Sequence, residues 1–238
     1  MKSVYIPVAD AEIFCRIAGS GHPLVLLHGN NEDSRIFESQ LAIFSQTYQV
    51  IAIDTRGHGH SSHGTATLSF TRIALDIVAV LDYLAIQHAN FIGFSDGGNS
   101  AMYVAVKHPS YVDSLILVGA NLTTGGMKKK PLFGVKLAYS LTNLLANVSS
   151  KYHQKKQIID LMLKQLTLTI EDIKTIQAPT LVVAGENDMI EEAHTQLIAD
   201  SIPQAELVII PDADHFLIMK QPELFNQIAL AFLAKLAN

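Results

Sequence analysis

An α/β fold built on a mostly parallel sheet of eight strands, with helices on both faces, is predicted by three features of this sequence. Short apolar runs of strand length recur along the chain and alternate with stretches whose apolar residues fall at helical spacing. The inner runs, 24–27 and 50–53 among them, are apolar throughout rather than alternating, as expected for strands covered on both faces. The polar residues with chemical potential cluster just after these runs, and parallel sheets carry their ligand sites at the carboxyl ends of the strands.

Taken in order, residues 4–8 and 13–18 flank the turn-like Ala9-Asp10-Ala11-Glu12 and read as a leading antiparallel hairpin. Residues 24–27 form a short strand, followed by the polar loop His28-Gly29-Asn30-Asn31 and a helix near 35–46. Residues 50–53 are the next strand, running into Asp54-Thr55-Arg56-Gly57-His58-Gly59-His60-Ser61-Ser62. Between 70 and 88, Ile73, Ile77, Val80, Leu81 and Leu84 share one helical face. A strand over 90–94 leads to a helix over 97–108, stopped by Pro109, and then to a strand over 115–118. After a lapse in the alternation come a strand over 181–184, a helix near 191–201, a strand over 206–210 and a final helix over 221–238.

The chain has 238 residues, 49% hydrophobic and 16% charged, enough apolar material for one large core and too much for a disordered chain. No apolar run approaches the ~18 residues of a membrane span. The first residues alternate in strand fashion and carry Asp10, Glu12 and Arg16, unlike a signal peptide. The single cysteine, Cys15, has no internal disulfide partner and suits a reducing, cytoplasmic setting. The sequons at Asn121 and Asn147 would matter only on secretion.

The net charge of -5 is unevenly spread: residues 121–170 hold eight lysines and one acid, Asp160, so the rest of the chain is strongly acidic. This shift, together with the lapse in alternation, marks 121–170 as an inserted helical cap on a core of 1–120 and 171–238. Leu137, Leu141, Leu144 and Leu145, and then Ile158, Ile159, Leu161, Met162 and Leu166, are expected to face the core or the pocket, with the lysines outward in water. A sharper reading is that the lysines draw anionic substrates. The acidic balance and the absence of G-x-G-x-x-G and P-loop patterns argue against nucleic acid and nucleotide cofactors. The expected partner is a small molecule, with no cofactor and no membrane association, and the chain is expected to be a monomer or homodimer.

Gly93-Phe94-Ser95-Asp96-Gly97 sets a serine between two glycines where a strand is predicted to meet a helix. Such a sharp reversal crowds the flanking positions, so only small residues fit. It holds the serine in a strained conformation with its hydroxyl exposed beside the helix N-terminus. A solvated serine in a glycine-rich turn is the plain alternative, weakened by the partners that follow. Asp96 as nucleophile would need a small residue at 94, where Phe94 stands.

A serine hydroxyl needs a base to take its proton during attack. His215, just after the strand at 206–210, is the candidate base. Asp188, after the strand at 181–184, is the candidate acid that orients the imidazole, with Glu186, Asp212 and Asp214 as rivals. The order serine, acid, histidine is the one used by hydrolases built on such sheets. Donors for the developing oxyanion are expected from the backbone amides of Asp96 and Asn30. His28 is expected to shape the loop. His58, His60 and His63 suggest a metal site, but no carboxylate or cysteine joins them at ligand spacing, so no metal is expected.

Ser95, Asp188 and His215 in order, with His28-Gly29-Asn30, Asp54-x-Arg56-Gly57-His58-Gly59-x-Ser61 and Gly93-Phe94-Ser95-Asp96-Gly97-Gly98, resemble the α/β-hydrolase family over essentially the whole chain. The resemblance implies an α/β-hydrolase fold with a lid, a loop fastened by Asp54 and Arg56, and a serine hydrolase that cleaves a small ester through an acyl-enzyme on Ser95. Expected substrate contacts are Asp96, Asn31, Phe94 and Phe216. The elbow and Gly119-Ala120-Asn121 are similar to the valacyclovir-hydrolase branch, which implies that the Asp96 carboxylate holds the ammonium of an amino-acid ester. Lactonases, thioesterases, carbon–carbon bond hydrolases and cofactor-free perhydrolases use the same triad and stand as alternatives, as does a non-catalytic binding protein of this fold.

Overall fold

Strands Lys2–Val8 (β1) and Ala11–Ala18 (β2) pair antiparallel, and β2 lies antiparallel to Tyr48–Ile53 (β4). From there the sheet is parallel, through His22–Leu27 (β3), Ala89–Phe94 (β5), Val112–Val118 (β6), Thr180–Asn187 (β7) and Ala205–Asp214 (β8). In this computed structural model, which describes residues 1–236, the strand order is β1-β2-β4-β3-β5-β6-β7-β8. The fold is the predicted α/β one.

The all-apolar inner strands are explained by their two faces. Alternate residues of a strand point to opposite sides, and in β3 Leu24 and Leu26 pack on one side with Phe37, Phe44 and Phe225, while Val25 and Leu27 pack on the other with Phe70 and Ile77. Helices Glu38–Phe44 (α1) and Pro222–Leu236, the last, cover the first side; Phe70–Tyr83 (α2) and Asp96–Lys107 (α3) cover the second.

Several boundaries differ from expectation. The helix expected near 35–46 begins as a turn of 3-10 helix, Ser34–Phe37, capped by the Asp33 side chain, and continues as the shorter α1. Helix α2 stops early because Ala85 takes φ 56°, a left-handed turn that ends the helical path. Strands β7 and β8 run past their apolar segments and still pair at Asn187 and Asp214. Asp188 therefore directly follows its strand rather than standing four residues beyond it, and His215 directly follows β8. The final helix is preceded by a short turn, Leu217–Lys220, and residues 237–238 of the expected helix lie outside the described residues.

Between β6 and β7 the chain leaves the sheet to form the helices Lys129–Ala146 (α4), Ser150–Lys164 (α5) and Ile170–Ile173 (α6). Helix α5 buries Ile158, Ile159 and Leu161 as expected, and its Lys156 and Lys164 pair with Asp160 at 3.0 and 2.9 Å. Helix α4 departs from expectation. Leu137, Leu141, Leu144 and Leu145 are exposed, at 51%, 59%, 76% and 38%, as is Phe133, because α4 packs on α5 rather than on the sheet. No helix among the described residues is long and apolar enough to cross a membrane.

Candidate active site

The strand-to-helix reversal at Ser95 is tight. Ser95 takes φ 53° and ψ -118°, and its amide donates to Val118 O at 2.7 Å. A Cβ at Gly97 would lie 2.0 Å from Leu27 O, and one at Gly93 would lie 2.4 Å from Gly97 O. Glycine is therefore required on both sides of the serine so that the elbow can press against β3 and its own helix.

The ends of β5, β7 and β8 bring three distant side chains together. His215 Nε2 lies 3.1 Å from Ser95 Oγ, and His215 Nδ1 lies 2.7 Å from Asp188 Oδ1. Asp188 Oδ1 also accepts from Ile190 N at 2.9 Å, which fixes the carboxylate in its own turn. Both partners are almost wholly buried. Two of the three rivals for the acid are occupied elsewhere: Glu186 accepts from Asp212 N at 3.0 Å, and Asp214 pairs with Lys220 and accepts from Phe216 N.

Opposite the elbow, the loop after β3 closes on itself. Glu32 N–H donates to Gly29 O at 3.3 Å across Asn31, whose φ is 59°. His28 holds the loop from below, its Nδ1 2.8 Å from Gly29 O while its Nε2 accepts from Thr55 N at 2.9 Å. Burial lowers the His28 pKa, so the ring stays neutral and can accept at Nε2. The amides of Asn30 and Asp96 enter no hydrogen bond among the described residues. Unengaged donors of this kind are what a developing oxyanion requires.

Several groups at the site escape sequence reasoning. The Asn30 side chain donates both to Asp96 Oδ2 at 2.8 Å and to Ile158 O of α5 at 2.7 Å, tying the loop to the elbow and to the helix above. Asn99 donates to the other Asp96 oxygen at 3.2 Å and accepts from Asn121 N at 2.9 Å. Asn121 is thereby buried. Burial pushes the Asp96 pKa up to about 6, against the pull of the Asn30 and Asn99 hydrogen bonds. Glu32 also braces the loop through Gly29 N, which donates to it at 3.1 Å.

Of the expected substrate contacts, Phe216 sits at the rim with its ring 5.5 Å from that of His215, and Asn31 is exposed on the turn. Phe94 corrects its expectation. It is 1% exposed, its ring 5.0 Å from that of His215 and against Gly29, so it underpins the imidazole and offers almost no surface to a ligand. His58, His60 and His63 serve the loop after β4. His58 is buried with Nδ1 3.0 Å from Arg56 O, and the His60 amide donates to Asp54 Oδ2 at 2.8 Å.

Burial pushes the Glu32 carboxyl up from 4.5 to about 7, opposed by the Gly29 N–H and by His215. A carboxyl raised in the folded state binds protons that the unfolded chain releases. Its contribution is complete below 4.5 and is lost as pH rises through about 7. Replacing Glu32 with glutamine should therefore shrink the loss of unfolding free energy between pH 5 and pH 8 by on the order of 2 kcal/mol. Denaturant titrations at the two pH values measure it, and an unchanged difference would refute the assignment.

Fold and constellation together are those of the α/β-hydrolase class. The chain belongs to that family, whose model, the alpha/beta hydrolase fold, matches residues 22–149. It is 24% identical over 261 residues to a putative carbamate hydrolase RutD of Azorhizobium caulinodans, covering 96% of this chain and 97% of that one. It is 26% identical over 260 residues to a 2-hydroxymuconate semialdehyde hydrolase of Pseudomonas putida, covering 91% and 89%. Among solved structures it is similar to Est816, described as an N-acyl homoserine lactone degrading enzyme. There the TM-score is 0.82 and the identity 30%, covering 96% of this chain and 100% of that one.

Proposed function

We propose that this hydrolase cleaves small carboxylic esters by two-step acyl transfer. The reading rests on the continuous relay from Ser95 Oγ through His215 to Asp188. Ser95 Oγ attacks the ester carbonyl while His215 Nε2 takes its proton, and Asp188 holds the imidazole in the required tautomer and stabilises the imidazolium. The amides of Asn30 and Asp96 receive the oxyanion. His215 then returns the proton to the departing alkoxide, leaving an acyl group on Ser95. Water, deprotonated by His215, cleaves that acyl-enzyme and restores the serine.

A lactone is a cyclic ester and would follow the same steps. The 30% identity to Est816 over 96% of the chain favours it as a second reading. An amine on the substrate would be met by the Asp96 carboxylate, which already lies between Asn30 and Asn99 beside the oxyanion amides. A panel of linear esters, lactones and free or N-acetylated amino-acid esters separates these readings. Linear esters should turn over in the wild type. If Asp96 engages an amine, the free-amine preference should fall by about tenfold in Asp96→Asn. Turnover of no ester or lactone in the panel would overturn the proposal, and a wild type indifferent to the amine would remove Asp96 from substrate recognition.

A further inference from the structure

At the opposite edge of the sheet from Ser95, three side chains with no part in the candidate active site converge. His22 opens β3, His88 immediately precedes β5, and Asp113 is the second residue of β6. Strands β3, β5 and β6 are neighbours and parallel, so their N-terminal ends lie side by side. A single oxygen, Asp113 Oδ2, lies 2.8 Å from His22 Nε2 and 2.7 Å from His88 Nδ1. The two imidazole centroids are 5.7 Å apart, and the three ligand-capable atoms all fall within 4.8 Å of one another. His22 and Asp113 line a cleft whose walls also include Tyr48, Asn90 and Pro179.

Two imidazole nitrogens and a carboxylate oxygen are a donor set that suits zinc and the neighbouring first-row divalent cations. Bonds of about 2.0–2.2 Å to a tetrahedral cation separate its donors by roughly 3.4 Å. The observed trio is near that geometry, and adjustments of about 1 Å in exposed side chains would complete it. His22 and Asp113 stand on strand backbone and His88 directly precedes a strand, so the three positions are held whether or not the side chains are bridged. A mere hydrogen-bonded clasp would need only one imidazole on the carboxylate, whereas here two rings, one opening β3 and one just ahead of β5, meet the same oxygen.

We propose that His22, His88 and Asp113 form a binding site for a zinc-class divalent cation, with water completing its coordination. Each imidazole would ligate through the nitrogen that now faces Asp113, carrying its proton on the opposite ring nitrogen. Bound metal would tie together the starts of three parallel strands, and because the site lies across the sheet from Ser95 it would act on stability and leave the hydrolytic chemistry alone. The inference does not depend on the ester-hydrolase reading.

The test uses the full chain, stripped with a chelator and then titrated with Zn²⁺ by calorimetry and with Co²⁺ by visible absorption. Wild type should take up one equivalent saturably, and its melting temperature should rise with Zn²⁺. Asp113→Asn, which keeps the shape of the side chain, should weaken binding about tenfold or more. The His22→Ala/His88→Ala variant should lose both the saturable uptake and the thermal shift while keeping wild-type hydrolysis. Other histidines could bind Zn²⁺ adventitiously, so the double variant decides. Wild-type stoichiometry and affinity in that variant, or no saturable uptake in the wild type, would overturn the proposal.

Discussion

Replacing Ser95 with alanine should leave a folded protein whose ester hydrolysis is slower by about three to six orders of magnitude. The expectation follows from how little else at the site can attack a carbonyl. Ser95 Oγ is the hydroxyl that lies against His215 Nε2, at 3.1 Å, and without it the imidazole can activate only water. The residual rate would come from the amides of Asn30 and Asp96 and from binding, both of which the substitution leaves in place. Stability should change little, because the left-handed conformation at 95 strains serine and alanine alike. Kinetics with a chromogenic ester and a denaturant midpoint on the same sample measure both halves of the expectation. Activity within tenfold of wild type would refute the assignment of the nucleophile.

The largest loss of stability is expected at Arg56, well away from the chemistry. Its side chain is wholly buried, with Nε and Nη2 on the two oxygens of Asp76 at 2.6 and 2.7 Å and Nη1 on Asp10 at 2.8 Å. It joins the loop after β4, the start of the chain at the β1–β2 turn, and helix α2. Arg56→Met fills similar space but leaves Asp76 as an uncompensated buried charge, and removing one partner of such a pair costs about 3–5 kcal/mol. Arg56→Lys should recover only part of this, because an ammonium cannot make the two parallel bonds of the guanidinium. Denaturant unfolding of the three proteins gives the comparison. A loss below 1 kcal/mol in Arg56→Met would mean that the network is peripheral to stability.

What could be read from the sequence follows a physical division. Residues placed by strand ends were legible, because a parallel sheet brings its carboxyl edges together whatever the loops do. Ser95, Asp188 and His215 are legible on that basis together with the Gly93-x-Ser95-x-Gly97 elbow and the serine, acid, histidine order. The lengths of β7 and β8 were underestimated because Glu186, Asn187, Asp212 and Asp214 are polar, while the pairing that extends these strands is made by backbone. Contacts that depend on how separate segments dock were not legible. The Asn30 side chain reaches Asp96 and the carbonyl of Ile158, the latter in a helix far along the chain. Glu32 reads as an ordinary loop carboxylate until its burial is seen. Helix α4 teaches the same lesson, since periodicity placed Leu137, Leu141 and Leu144 on one face without saying what would cover it. His22, His88 and Asp113 carry no local pattern; only strand order makes them neighbours.

Activation of Ser95 by His215 is read out by labelling the folded protein with a fluorophosphonate and locating the adduct by peptide mass spectrometry. A single adduct on Ser95 is expected, formed rapidly in the wild type and slowed by several orders of magnitude in His215→Ala. A wild type that stays unlabelled at Ser95, or a His215→Ala variant labelled there as fast as the wild type, would contradict it.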